Sequence, residues 1–303
     1  MKKIAVVGCG AVGLNYGTRL LESELFAEGA KVVQQPIDVS LVVRRDYELL
    51  ISHGVRVKYG LSGCSSEDTG DHLLLSAEDL RGKVYPTTQA LSSSKGRMSW
   101  IIVCCKSYSI CSQFMESLEC IADDSTKFLI IMNGLDVESS FVEWFGAGRV
   151  FGGLSKIACN RGPNPPLEPG PLILQCFADI SLEIGHVLDD ELLLCEASQL
   201  FANTAISSIV QVTSNLLRSR WAKLCCYITF TGISVAMGGL TCDVIVGDAS
   251  LRTLAARVIA DVVRVANADL RRQHQQRTHP CPDLNLMPEE ETIGKLDCSY
   301  YCI

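Results

Sequence analysis

One glycine spacing limits the folds open to this chain more than any other feature. The apolar run Ile4–Val7 leads straight into Gly8-Cys9-Gly10-Ala11-Val12-Gly13, and a helical pattern, Ala11–Ala27, starts inside that turn. A chain that passes from a buried strand into a helix over this spacing fits a dinucleotide-binding unit. The first glycine permits the tight turn, the second lets a pyrophosphate approach the backbone, and the third lets helix pack on sheet. The first N–H groups of the helix and its dipole then favour phosphate. The six residues Gly8, Cys9, Gly10, Ala11, Val12 and Gly13 are the candidate cradle. The spacing alone is a weak signal; its place between strand and helix makes it a strong one.

The rest of the first half continues the pattern. Ile4–Val7, Ser40–Val43, Trp100–Cys104, Phe128–Met132 and Val150–Leu154 are continuous apolar runs, as expected of strands buried on both faces. Helical candidates lie between them at Ala11–Ala27, Ser109–Ile121 and Val137–Trp144, so a parallel sheet flanked by helices is predicted. Arg81–Arg97 reads as connecting surface structure, and Asn160–Pro171, with its prolines and glycines, as a loop. Strand-like runs return at Ile173–Ile184 and Ile206–Val212. From Ser214 the pattern is helical, with Asn215–Met237 followed by Ala249–Arg272. The expected class is α/β, a Rossmann-type parallel-sheet domain over 1–212 followed by an all-α domain over 213–303.

Composition narrows the partners. The 303 residues, 48 % hydrophobic and 20 % charged, suit a soluble globular protein of two domains. A net charge of −7 argues against a nucleic-acid or acidic-membrane partner, though an acidic protein can still hold a local basic pocket for an anionic cofactor. No run reaches the roughly 18 apolar residues of a membrane span. The start resembles a signal peptide only superficially, since glycines, Asn15 and Arg19 interrupt it, so the default compartment is the cytoplasm. Fifteen cysteines are present without a single C-x-x-C, which fits small buried hydrophobes better than metal ligands. His274–Cys281 is the one His/Cys cluster, and it shows no fourth zinc ligand; no metal is expected.

The second strand bears on the cofactor. It ends in Arg44-Arg45, where an NAD-binding fold usually places a carboxylate on the ribose hydroxyls. A guanidinium binds a 2′-phosphate bidentately, so Arg44 favours NADP(H); two exposed arginines at a strand end are the plainer reading. Lys106 and Asn133 follow the next two apolar strands, at ends where ligands of open α/β sheets bind. Lys223 opens a run with no further full charge until Asp243. In an α-helix it shares a face with Tyr227 and Thr231, with Ser234 close to that line. Either this stripe meets water or a ligand, or Lys223 snorkels from the edge of a core helix.

Taken in order, GCGAVGLNYG, VVRRDYELL, CCKS, IMNG, VFGG, RWAKL and ADVVRVANADL resemble the ketopantoate reductase (2-dehydropantoate 2-reductase) family, over most of the chain to about Leu296. The resemblance implies NADPH on an N-terminal Rossmann domain and reduction of a 2-oxo acid in a cleft against a helical domain. It implies that Gly8–Gly13 cradle the pyrophosphate and that Arg44 takes the 2′-phosphate. Lys106, Asn133 and Ala158 would line the cofactor, and Lys223 would be the catalytic proton donor. Ketopantoate, reduced to pantoate for pantothenate and coenzyme A synthesis, is the implied substrate, and a homodimer the implied assembly.

Two departures stand out. The family usually has asparagines four and eight residues after the lysine; here Tyr227 and Thr231 stand there and, with Asn133, are the candidate substrate contacts, which opens a different 2-oxo acid. The family's later serine segment and glutamate find no match before DCSYYCI, so the ending reads as shortened or alternative. That motivates a rival expectation, an NADPH-binding regulatory or interaction protein with impaired catalysis.

Overall fold

The computed structural model describes residues 1–25, 36–60, 72–162, 170–202, 204, 206–276, 286–288 and 292. The chain divides into two compact units, residues 1–132 with 136–214, and residues 133–135 with 215–303.

The first unit is built on one sheet of strands β1 (Lys2–Val7), β2 (Ile37–Val42), β3 (Val55–Gly60), β4 (His72–Leu75), β5 (Val84–Tyr85), β6 (Trp100–Val103), β7 (Lys127–Ile131), β8 (Val150–Arg161), β9 (Leu172–His186) and β10 (Val210–Thr213). The spatial order is β4-β3-β9-β8-β7-β6-β1-β2-β5, with β10 also pairing β9. From β5 through β8 every pairing is parallel; β8–β9 and β3–β4 are antiparallel. β1 lies between β2 and β6, so the strand order reverses there, and the ends of β1, β2 and β6 are level, Val7 facing both Val42 and Val103. Ligands of open α/β sheets bind outside the strand ends at such a reversal.

Alternation along the strands explains how two faces are buried. Ile4 and Val6 join Leu14, Leu20 and Leu21 of helix α1 (Ala11–Leu25) in the core on one face. Ala5 and Val7 join Phe128 and Ile130 on the other. That second face is covered by helices α3 (Thr88–Lys95), α4 (Ser112–Glu119) and α5 (Ser139–Phe145) through Leu91, Met115, Leu118 and Phe141. Helix α2 (Tyr47–His53) follows β2, and α6 (Glu191–Phe201), capped by Asp190, packs Ala197, Leu200 and Phe201 into the first face. Each such side chain contributes roughly 1.5–3 kcal/mol by leaving water.

The second unit contains α7 (Leu216–Cys226), a π-helical turn (Tyr227–Thr231), α8 (Gly232–Ala236), α9 (Cys242–Gly247) and α10 (Ala249–Gln276). Trp221, Cys225, Phe230 and Ile233 meet Ala255, Ile259, Val262, Val263 and Ala266 in its core, with Leu135 packed alongside. Asn267 ties the chain at Met287 to α10 by two hydrogen bonds, 3.0 and 2.8 Å.

Several expectations need revision. Arg81–Arg97 is not mere connecting surface: it supplies β5 and α3, and Val84, Tyr85 and Leu91 are buried. The polar residues of α3 lie on its outer face and hid the pattern. β3, β4 and α6 were not anticipated. The strand β8 runs through Asn160 and Arg161 into the expected loop, whose residues 163–169 lie outside the described residues. Residues 277–281 of the His/Cys cluster, Glu289–Glu291 and the ending DCSYYCI also lie outside them. Asn215–Met237 is not one α-helix, for the π-helical turn divides it. Among the described residues, no helix is long and apolar enough to cross a membrane.

Candidate active site

At the end of β1 the three glycines are distinguished by what surrounds them. Gly8 has φ +87°, and a Cβ there would stand 2.6 Å from the Cys105 backbone nitrogen. A Cβ on Gly13 would stand 2.6 Å from the Gly8 carbonyl oxygen, so the third glycine lets α1 sit on the strand end. A Cβ on Gly10 would meet, beyond its chain neighbours, no atom of the described residues within 4 Å. Gly10 N–H donates to Gly8 O at 2.8 Å, and Leu14 N–H to Gly10 O at 2.9 Å. The N–H groups of Ala11, Val12 and Gly13 lie in the first helical turn, where such groups have no intrahelical acceptor and can receive an anion. The Cys9 side chain is buried and donates to Val6 O; burial pushes its thiol up to about 12, so its part in a cradle is its backbone.

The next strand end sits against this turn. Cys104 N–H donates to Val7 O at 2.8 Å, and Lys106, exposed, begins a short 3-10 turn two residues later. On the opposite side of β1, Arg44 is exposed two residues past β2. Asp46, the carboxylate that could otherwise reach a ribose, is 2 % exposed and ion-paired with Arg161 of β8. The sequence showed Asp46 two residues after Arg44 but gave no sign of Arg161, more than a hundred residues away. Ala158 is half-buried within β8, just past a shift of register, and Cys159 points to the opposite face of the strand.

Asn133 follows β7 and belongs by its contacts to the helical unit. Its Oδ1 accepts from Lys223 Nζ at 2.8 Å. The same Nζ lies 5.7 Å from the centre of the Tyr227 ring, within the range of a cation–π contact. Arg220, buried one turn before Lys223, donates through Nη1 to Gly134 O at 3.3 Å and so fixes the peptide beside Asn133. Its role escaped sequence reading because an arginine three residues from a lysine looks like a second surface charge.

The face expected to carry Lys223, Tyr227 and Thr231 assumed α-helical spacing. The π-helical turn closes i→i+5 bonds and adds a residue, which rotates Thr231 away from the line through Lys223 and Tyr227. Tyr227 is 47 % exposed and Thr231 is exposed as well. Such turns occur often at functional sites, and this one starts one turn beyond the lysine. Among the described residues, no group of three or more His, Cys, Asp or Glu side chains is placed to hold a metal.

The first unit therefore suits a dinucleotide: glycine where the turn is open, the first turn of a helix beside it, and a cation past the second strand. A Rossmann unit with this turn at its strand-order reversal, in one chain with a helical unit carrying a lysine oriented by an asparagine, defines the class of nicotinamide-dinucleotide-dependent oxidoreductases. Residues 4–166 match the family described as ketopantoate reductase PanE/ApbA, and the chain belongs to that family. It is similar to the 2-dehydropantoate 2-reductase of Nostoc sp., 25 % identical over 266 residues that cover 86 % of this chain and 71 % of the relative. Its fold is similar to that of the 2-dehydropantoate 2-reductase of Geobacter metallireducens, with TM-score 0.71, 24 % identity, and coverage of 97 % of this chain and 82 % of the other. D-mandelate dehydrogenase, solved with NADH and anilino(oxo)acetate, shares the fold at TM-score 0.69 and 15 % identity, covering 98 % of this chain and 80 % of the other.

Proposed function

We propose that this protein reduces a 2-oxo acid with NADPH, and that ketopantoate is the substrate, giving pantoate. The observation that carries the proposal is the Lys223 Nζ–Asn133 Oδ1 hydrogen bond, which aims an ammonium from a helix otherwise rich in apolar side chains. When bound, the reduced nicotinamide supplies a hydride to the keto carbon. Lys223 polarises the ketone oxygen and gives it a proton as negative charge develops there, work for which a positioned acid contributes about 10²–10⁴-fold. Asn133 holds the ammonium in place, and Arg220 holds the peptide that presents Asn133.

Preference for NADPH is supported by the pairing of Asp46 with Arg161. The carboxylate nearest the second strand end is committed to a buried ion pair, while Arg44 is exposed. A 2′-phosphate would meet a guanidinium there, with the nearby carboxylate already neutralised. Arg44→Ala should weaken NADPH binding about tenfold or more and leave NADH nearly unaffected. Equal losses for both cofactors would remove this support.

Tyr227 favours a second substrate within the same chemistry. An aromatic ring beside the lysine offers an apolar face in addition to its hydroxyl, which suits a 2-oxo acid with a bulkier or aryl side chain. The test is NADPH oxidation, followed by absorbance, on ketopantoate and on a series of branched and aryl 2-oxo acids. Turnover of one of these that falls about a thousandfold in Lys223→Ala, with NADPH affinity retained, is the expected result. NADPH binding without turnover on any of them would instead identify a binding protein that has lost catalysis.

A further inference from the structure

The strands β8 and β9 carry two cysteines in direct opposition. Cys159 and Cys176 are partners in the antiparallel register, and their Sγ atoms are 3.2 Å apart. Both are free thiols; Cys176 is buried and Cys159 half-buried. A disulfide needs its sulfurs about 2.05 Å apart, with Cβ atoms about 3.5–4.5 Å apart, a range that meets the spacing of directly opposed residues in antiparallel strands. Little backbone movement separates the thiol pair from a crosslink.

Both thiols also reach the helix behind the glycine turn. Cys159 Sγ lies 3.7 Å from Ala11 O and Cys176 Sγ 3.4 Å from Asn15 Oδ1. Asn15 is fully buried, and its Nδ2 has no hydrogen-bond partner among the described residues. Half a turn of its amide would present that N–H to Cys176 Sγ and stabilise a thiolate there. The hydrogen bond between the two sulfurs acts in the same sense. Donation from Cys159 lowers the Cys176 thiol from its ordinary value, against the effect of burial and with help from Arg19, while Cys159 is raised.

We propose that Cys159 and Cys176 form a redox modification site that closes to a disulfide on reaction with a low-molecular-weight disulfide such as oxidised glutathione, and that closure is felt at the dinucleotide turn through Ala11 and Asn15. The proton that Cys159 shares with Cys176 passes to Cys176, so the more accessible Cys159 attacks one glutathione sulfur as thiolate; glutathione thiolate leaves and takes up a proton. Cys176 then loses its proton, its thiolate attacks Cys159 Sγ, the Cys159–glutathione bond breaks, and the second glutathione leaves as thiolate and takes up a proton. The protein is oxidised by two electrons and one oxidised glutathione becomes two reduced ones. Closure leaves two sulfurs with neither proton nor charge, so the contacts of Cys159 Sγ with Ala11 O and of Cys176 Sγ with the Asn15 amide change in the first turns of α1. Bound dinucleotide, which needs that helix end in its present place, favours the reduced pair by reciprocity.

The crosslink is independent of the functional reading; its coupling to cofactor rests on that reading. The full-length protein is equilibrated in glutathione buffers of graded ratio, with and without NADP⁺, then alkylated and mapped as peptides without reduction. A linked Cys159–Cys176 peptide, two hydrogens lighter than the separate thiols and missing in Cys159→Ser, is expected. Saturating NADP⁺ should shift the oxidation equilibrium about fivefold toward the thiols, the low end of ordinary site-to-site coupling. Glutathione on the exposed Cys111 and Cys195 with no linked peptide would overturn the site. A linked peptide whose equilibrium is indifferent to bound NADP⁺ would overturn the coupling. Failure of the reduced protein to bind NADP⁺ would overturn the coupling together with the functional reading, leaving the crosslink to be decided by the peptide alone.

Discussion

The glycine turn at the end of β1 and the lysine helix of the second unit specify chemistry in opposite ways. At the turn, what a ligand meets is backbone, and the side chains matter by being absent. A Cβ at Gly8 or Gly13 would collide with main-chain atoms 2.6 Å away, whereas one at Gly10 would point where, beyond its chain neighbours, no atom of the described residues lies within 4 Å. At the helix the backbone is irregular, and on the proposed reading the side chains of Lys223, Asn133 and Tyr227 would provide the chemistry. A backbone site tolerates few residues and so leaves a fixed spacing in the sequence. A side-chain site can be built from distant positions, and its residue identities can drift with the substrate.

The largest effect that separates the two is expected within the turn itself. Gly8→Ala forces a left-handed φ on alanine and drives its methyl into Cys105 N, costing about 3 kcal/mol in urea unfolding. Gly10→Ala should leave stability within about 0.5 kcal/mol of the parent, yet weaken dinucleotide binding about tenfold or more by filling the place of closest approach. Equal losses of stability in the two variants would show that Gly10 is structural too, and the separation between packing glycines and a ligand-facing glycine would fail.

The same contrast explains what was legible in the sequence. The strands Ile4–Val7, Trp100–Cys104 and Phe128–Met132 could be read because burial on both faces leaves unbroken apolar runs. The glycine spacing was equally plain, because the turn between strand and helix fixes which positions lack a side chain even where the crowding neighbour, Cys105, is distant in sequence. Helix α3 was missed because only Thr88 and Leu91 of its eight residues are buried, too few to mark a face. The Asp46–Arg161 and Arg220–Gly134 contacts join residues far apart in sequence, and no local pattern encodes them. The π-helical turn was hidden for another reason: nothing in the composition of YITFT separates a π-helical turn from an α-helical one.

That turn yields a smaller prediction. Thr229 is fully buried within it, and its Oγ1 has no hydrogen-bond partner among the described residues. A buried hydroxyl without a partner is worse than a methyl of the same shape, so Thr229→Val should stabilise the protein by about 1 kcal/mol in urea unfolding. If the irregular turn is needed for the lysine, valine must preserve kcat, because it changes a methyl-sized group and leaves the backbone alone. A stability gain accompanied by a loss of turnover would mean that the Thr229 hydroxyl itself serves the site.

The smallest effect lies at the other end of the sheet from the glycine turn, where side chains in the first unit do form a network. Asp38 Oδ1 accepts from Lys95 Nζ at 2.5 Å and from Lys83 Nζ at 3.2 Å; Lys83 also pairs with Glu24, whose other oxygen accepts Val39 N–H at 2.8 Å. Burial alone would raise the Asp38 carboxyl, but the two lysines outweigh it and hold the group below its ordinary value. Burial likewise opposes the charge on Lys83, and its two carboxylates outweigh that to raise it. A depressed carboxyl contributes stability that is complete above its unfolded value, about 3.9, and disappears as pH falls through the folded value. A raised lysine contributes stability that is complete below its unfolded value, about 10.4, and disappears as pH rises through the folded one. The stability difference between parent and Asp38→Asn should therefore be flat from about pH 6 to 9 and shrink below about pH 4, in urea midpoints measured across that range. A difference that persists unchanged into acid would assign Asp38 a role in shape rather than charge. The first unit would then resemble its own glycine turn throughout, held by geometry alone.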